Sequence, residues 1–174
     1  MRPTLIGANN SRRLRPYPFV ADNLPHALWR ITSLTIGASG TLLEISELQL
    51  FSNGGTVNQN NFALKTSSHV PASDPANPLS YLFDGNLSTK PNWAKAVAEQ
   101  GTSFWIQWNF GGVSPSSTAN IDGVKQGGGD DPQRSLRSFS LQYFDDELGT
   151  WLTKFSKSGL THPGNSTLSV LYTA

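Results

Sequence analysis

Cysteine is absent from all 174 residues, which excludes a disulfide scaffold and a Cys-ligated zinc centre. Charge is also scarce. Asp, Glu, Lys and Arg make up 14% of the chain, against roughly 25% in ordinary soluble domains. No apolar run approaches the roughly 20 residues of a membrane-spanning helix, so membrane insertion is not expected. Residues 1–7 (Met-Arg-Pro-Thr-Leu-Ile-Gly) lack the apolar core of a secretory signal, so export by the Sec route is not expected either. With three histidines and no H-E-x-x-H, G-x-S-x-G or G-K-S/T pattern, the chain offers no enzyme signature. Asp130-Asp131 and Asp145-Asp146 are adjacent pairs on apparent turns. That does not give the two carboxylates about 5–9 Å apart that a glycosidase sets across a cleft. The expectation is a non-enzyme.

Core material is plentiful: five Trp, four Tyr and nine Phe, with 16 Gly and 11 Pro to make turns. Polarity comes from Ser, Thr, Asn and Gln, as on turn-rich β proteins. In the segment 104–110 (FWIQWNF) the even positions are large and apolar, and in 137–143 (RSFSLQY) the odd positions from Phe139 onward are. A hairpin is predicted at 145–149, leading into a strand from Trp151. Leu168, Val170 and Tyr172 alternate near the end, and 92–100 is a short helix candidate closed by Gly101. Period-2 alternation with one wet face predicts an all-β fold, an antiparallel β-sandwich over residues 29–174.

One strand breaks its own parity. In 43–50 (LEISELQL) the apolar positions are 43 and 45, then 48 and 50. The flip predicts a β-bulge at Ser46-Glu47 and sets Glu47 apart from ordinary surface carboxylates.

Residues 1–28 are different. Arg2, Arg12, Arg13 and Arg15 precede the first acid, Asp22, and four prolines interrupt any periodicity. Such a segment is either a disordered tail or an extended arm whose arginines pair with carboxylates on a partner. The second reading makes the chain part of a multi-subunit assembly. Nucleic acid is not the expected partner, because the four arginines lack interleaved stacking aromatics.

The richest stretch for chemistry is Asp84-Gly85-Asn86-Leu87-Ser88-Thr89. It reads either as an Asx-turn, with Gly85 at positive φ, or as a loop wrapping oxygen ligands around a hard cation. With Phe83 before it, Trp93 after it, the 105–111 segment (WIQWNFG) and 139–143 (FSLQY) followed by Trp151, this stretch resembles the discoidin family. These are the coagulation factor V/VIII C-type, galactose-binding-like domains, which fold as jelly rolls. The likeness spans roughly residues 29–174. The segment 29–51, which closes the domain in most members, comes first here, as in circularly permuted-looking modules of bacteriophage virion proteins.

The resemblance implies a structural calcium held by Asp84, Asn86, Thr89, Glu47, Ser46 and Tyr81, the last through its carbonyl. It also implies ligand binding on loops at one end of the sandwich. There Trp93, His69 and Arg134 are candidate carbohydrate contacts, although packing or solvation accounts for each equally simply. Gly127-Gly128-Gly129 reads as a flexible loop tip, with Asp130, Asp131 and Arg134 as solvated charges. The sequons at Asn86 and Asn165 read as coincidental. The implied role is a virion structural protein of tail, baseplate, fibre or capsid decoration, assembled in the host cytoplasm. It would dock to other virion proteins through residues 1–28 and engage host-surface glycans. The alternatives are an architectural cement or adaptor without ligand, and a bacterial carbohydrate-binding module.

Overall fold

The alternating segments do form strands, and they stack as two antiparallel five-stranded sheets. The computed structural model describes residues 23–57, 59, 63–112 and 117–174. Arg2, Arg12, Arg13 and Arg15 lie outside the described residues. Among those described, the strands are β1 (Leu28–Ile36), β2 (Leu42–Ser52), β3 (Gly55–Thr56), β4 (Leu64–Ser67) and β5 (Asn92–Ala94). They continue with β6 (Trp105–Asn109), β7 (Gly123–Gly128), β8 (Leu136–Asp145), β9 (Thr150–Lys157) and β10 (Tyr172–Thr173). One sheet runs β4-β6-β1-β8-β9; the other runs β10-β7-β2-β3, with β5 also paired to β2. The all-β sandwich expected from the alternation is the observed architecture.

The facing sheet surfaces supply the core. Trp29, Ile31, Ile106, Trp108, Leu141 and Tyr143 come from the first sheet, and Leu43, Ile45, Leu48 and Leu50 from the second, all fully buried. Each such side chain contributes roughly 1.5–3 kcal/mol by leaving water. The 145–149 hairpin forms as predicted: the Asp145 carboxylate accepts from the Leu148 amide at 2.9 Å, and Gly149 turns at φ 64°.

Three local expectations are corrected. Within 92–100, residues 92–94 pair with β2 as β5, leaving a single helical turn, α1 (Lys95–Ala98). The Gly127-Gly128-Gly129 segment is not a loop tip: all three glycines are buried, and the first two belong to β7. In the last segment Val170 is 75% exposed while Ser169 is buried. Ser169 exchanges hydrogen bonds with Gln126: its amide donates to the Gln126 carbonyl at 2.8 Å, and its Oγ accepts from the Gln126 amide at 3.1 Å.

Candidate metal centre

The parity flip in β2 is a bulge in the structure. Ile45 pairs with Gly128 and Leu48 with Gln126, so three steps along β2 face two along β7. The extra residue keeps Leu43, Ile45, Leu48 and Leu50 all on the core side. It leaves Ser46 and Glu47 buried, Glu47 with only 3% of its surface exposed. Gly127 lies across the bulge, where a Cβ would collide with Ser46 Oγ and come within 2.8 Å of the Glu47 amide nitrogen. That close approach requires glycine at position 127, inside a sheet strand.

The turn that meets the bulge is anchored by its own sequence. A 3-10 turn over Leu79–Phe83 buries Leu82 and Phe83, and Phe83 sits edge-on to Trp108 with centroids 5.8 Å apart. Asp84 follows at once, then Gly85 at φ 74°. The Gly85 amide donates to Glu47 Oε2 at 3.0 Å. Within the turn, Asp84 Oδ1 accepts from the Asn86 amide at 2.8 Å, and Asn86 Oδ1 accepts from the Ser88 amide at 3.0 Å. The Thr89 hydroxyl lies 2.8 Å from Asp84 Oδ2 and 2.9 Å from the Asn86 carbonyl. The Asx-turn is therefore present, and it delivers Asp84, Asn86 and Thr89 oxygens beside a buried carboxylate.

The electrostatics of this junction are unbalanced. Burial pushes the Glu47 carboxyl up to about 7; the Gly85 hydrogen bond opposes that shift, and the Asp84 charge adds to it. Among the described residues no lysine or arginine pairs with Glu47 or Asp84. Lys90, the nearest cation in sequence, pairs with Asp130 at 2.7 Å instead. Ser46 Oγ is buried without a hydrogen-bond partner. Two carboxylates and a set of neutral oxygens, with no paired cation among the described residues, form a donor set suited to a hard ion such as calcium. No group of three or more His, Cys, Asp or Glu side chains converges among the described residues, so carbonyl and hydroxyl oxygens would have to complete any coordination. Tyr81 sits within the 3-10 turn, its amide donating to the Pro78 carbonyl at 3.1 Å.

The segments carrying His69, Trp93 and Arg134, named above for ligand contact, gather around β5. The Ala72 amide donates to the Asn92 carbonyl at 2.7 Å, and Ser73 Oγ donates to Asn92 Oδ1 at 3.1 Å. The Lys90–Asp130 pair ties in the third segment. Trp93 itself is a core residue, 1% exposed, its indole N–H donating to the His69 carbonyl at 3.0 Å and its ring edge-on to Phe104. It therefore has no ring face to offer a sugar, because pairing with Leu43 turns it inward. His69 is half-buried, stacked on Phe104 with Nδ1 3.0 Å from Ser68 Oγ.

Arg134 is not a solvated charge. Its Nη1 donates to Glu44 Oε1 at 2.7 Å, and its Nε lies 3.5 Å from Asp131. Asp131 caps the 3-10 turn Pro132–Arg134 by accepting from the Gln133 amide at 2.8 Å.

Sequence reasoning missed two further features. Glu44 is 5% exposed and keeps Oε2 without a partner, because the 132–134 turn folds over it and Gly129 lets the chains approach. By alternation alone, Glu44 lies on the face opposite Leu43 and Ile45. The other feature is Ser135 Oγ, 2.7 Å from His162 Nδ1, with His162 Nε2 3.1 Å from Asn165 Oδ1. Ser135 is fully buried, and this chain of contacts joins the residue before β8 to the C-terminal segment. No protein-family model, curated protein or solved structure matches the chain.

Proposed function

We propose that the chain is a non-catalytic, cation-stabilised module of discoidin type serving as a structural subunit of a bacteriophage virion. In this reading residues 1–28 dock it to neighbouring subunits, and the loops around β5 engage glycans of the host surface. The observation that carries the reading is the meeting of Glu47 with the 84–89 turn. A buried carboxylate from a bulge and an oxygen-rich turn far away in sequence converge with no positive partner among the described residues. Calcium held by Glu47, Asp84, Asn86 and Thr89, with the Ser46 and Tyr81 carbonyls, would neutralise the pair. Because it would bind only the native state, it would stabilise the fold by mass action.

Three experiments test this reading. Calcium should raise the melting temperature of the full chain and EDTA should lower it; identical melts remove the metal centre. For the role in the particle, the full chain should co-sediment with assembled virions, and a chain lacking residues 1–22, which keeps β1 whole, should not. Normal incorporation of the shortened chain removes the docking arm. An array of host-surface glycans that gives no saturable binding leaves the architectural subunit as the surviving form.

A further inference from the structure

Away from the bulge and the loops, the outer face of the β4-β6-β1-β8-β9 sheet carries a cation that nothing described so far employs. Arg30 on β1 pairs across to Gln107 on β6 and to Gln142 on β8, and Gln142 pairs with Thr153 on β9. Four adjacent strands at about 4.8 Å spacing make this a polar row about 14 Å long. The Arg30 side chain is fixed from two sides. Its Nε donates to Gln142 Oε1 at 2.8 Å, and its guanidinium carbon lies 4.1 Å from the centre of the Trp151 ring. Gln142 is held in turn by donating to Thr153 Oγ1 at 3.2 Å, and Trp151 by the edge-on Phe144 at 5.5 Å.

The far end of this guanidinium is uncommitted. Among the described residues its two Nη groups have no acceptor and no carboxylate pairs with it. Partial burial lowers the Arg30 pKa, with no opposing charge to restore it. A planar fork of N–H donors, immobilised before any ligand arrives and lacking an internal counter-ion, is complementary to a carboxylate that accepts in two places. The rest of the row is neutral. Gln107, Gln142 and Thr153 both donate and accept, as sugar hydroxyls require, while Trp151 and Phe144 offer aromatic surface alongside.

We propose that this face is a binding site for acidic saccharides, in which Arg30 receives the carboxylate of a uronate-type sugar and Gln107 and Thr153 contact flanking hydroxyls. The site depends on the virion reading only for its purpose, since a host-surface glycan would be its natural ligand. It does not depend on the loops around β5 or on the cation.

The test is calorimetric titration of the full chain at low ionic strength with tetragalacturonate, with galactotetraose as the neutral counterpart and a tetraglutamate peptide as the acidic non-sugar. The expected result is saturable binding of tetragalacturonate, at least tenfold tighter than either comparison ligand. Arg30→Lys, which keeps the charge but loses the fork, should weaken it at least tenfold, while Lys125→Gln on β7 of the other sheet should leave it unchanged. Should Arg30→Lys fold poorly, the Trp151 indole N–H resonance of the unaltered chain must still shift on titration with tetragalacturonate.

Equal binding of the neutral sugar, preference for the peptide, an unaffected Arg30→Lys chain or a silent Trp151 each overturns the proposal. Glycan binding that survives Arg30→Lys but is lost on changing Lys90 or His69 overturns it while leaving the loop reading intact. Arg30-dependent uronate binding by a chain that never enters particles supports it and removes the virion role.

Discussion

The Gly85 amide donates to Glu47 Oε2 at 3.0 Å, tying a bulge in the middle of β2 to a turn 38 residues later. This single hydrogen bond does little to offset the cost of burying a carboxylate, and the Asp84 charge adds to that cost. The junction is therefore the part of the molecule whose stability should depend most on what the solvent supplies, whether protons or cations.

The sign of the proton dependence follows from the raised Glu47 pKa. The folded chain holds this proton up to about 7, while the unfolded chain releases it near 4.5. In EDTA the protein should therefore lose stability as pH rises through that interval and level off above it, by on the order of 3 kcal/mol in total. Saturating calcium should flatten the loss, because the ionised form is then the one that is held. Melting curves from pH 4 to pH 9 with calcium and with EDTA check this; superimposable profiles would exclude a cation at the junction.

Glu47→Gln separates the two contributions. The amide keeps the shape and can still accept from Gly85, but it carries no charge and is a poor calcium ligand. In EDTA at pH 8 the variant should be more stable than the parent by about 1–3 kcal/mol, since the buried charge is gone. In calcium it should gain nothing. A variant that still gains stability from calcium would move the ion away from Glu47.

Gly127→Ala should cost about 1–3 kcal/mol, in the range of overpacking substitutions, because its Cβ would press on Ser46 Oγ and on the backbone of Glu47. It should also weaken the calcium response, as the bulge would have to shift. Gly55→Ala on β3, where an added Cβ meets nothing nearer than 3.6 Å, serves as the comparison. Denaturant unfolding of both variants, with and without calcium, distinguishes local pressure on the bulge from a general glycine effect.

The bulge was legible because β2 is apolar on one side only: when Leu43 and Ile45 give way to Leu48 and Leu50, no straight strand can bury all four. The 84–89 turn was legible from its Asp, Gly, Asn and Thr, whose side chains bond locally. Long-range events were not legible. Three consecutive glycines have low strand propensity; the bulge across from Gly127, the Gly164 carbonyl beside Gly128 and Glu44 beside Gly129 leave no room for a side chain there. Glu44 looks solvent-facing until Arg134, 90 residues away, closes over it. Trp93 lies near a loop in sequence, yet its pairing with Leu43 turns the ring into the core.

That placement of Trp93 has its own consequence. Its side chain fills space between the sheets against Phe104, and its N–H satisfies the His69 carbonyl. Trp93→Ala should therefore destabilise the fold by about 3–5 kcal/mol, as large-to-small changes of buried tryptophan do. Trp93→Phe should cost less, losing the hydrogen bond and part of the volume. If Trp93 instead met a sugar, alanine would abolish glycan binding at nearly unchanged stability. Thermal unfolding and glycan titration on the same two variants discriminate, and the core position requires that stability fall first, with ligand affinity preserved in whatever fraction remains folded.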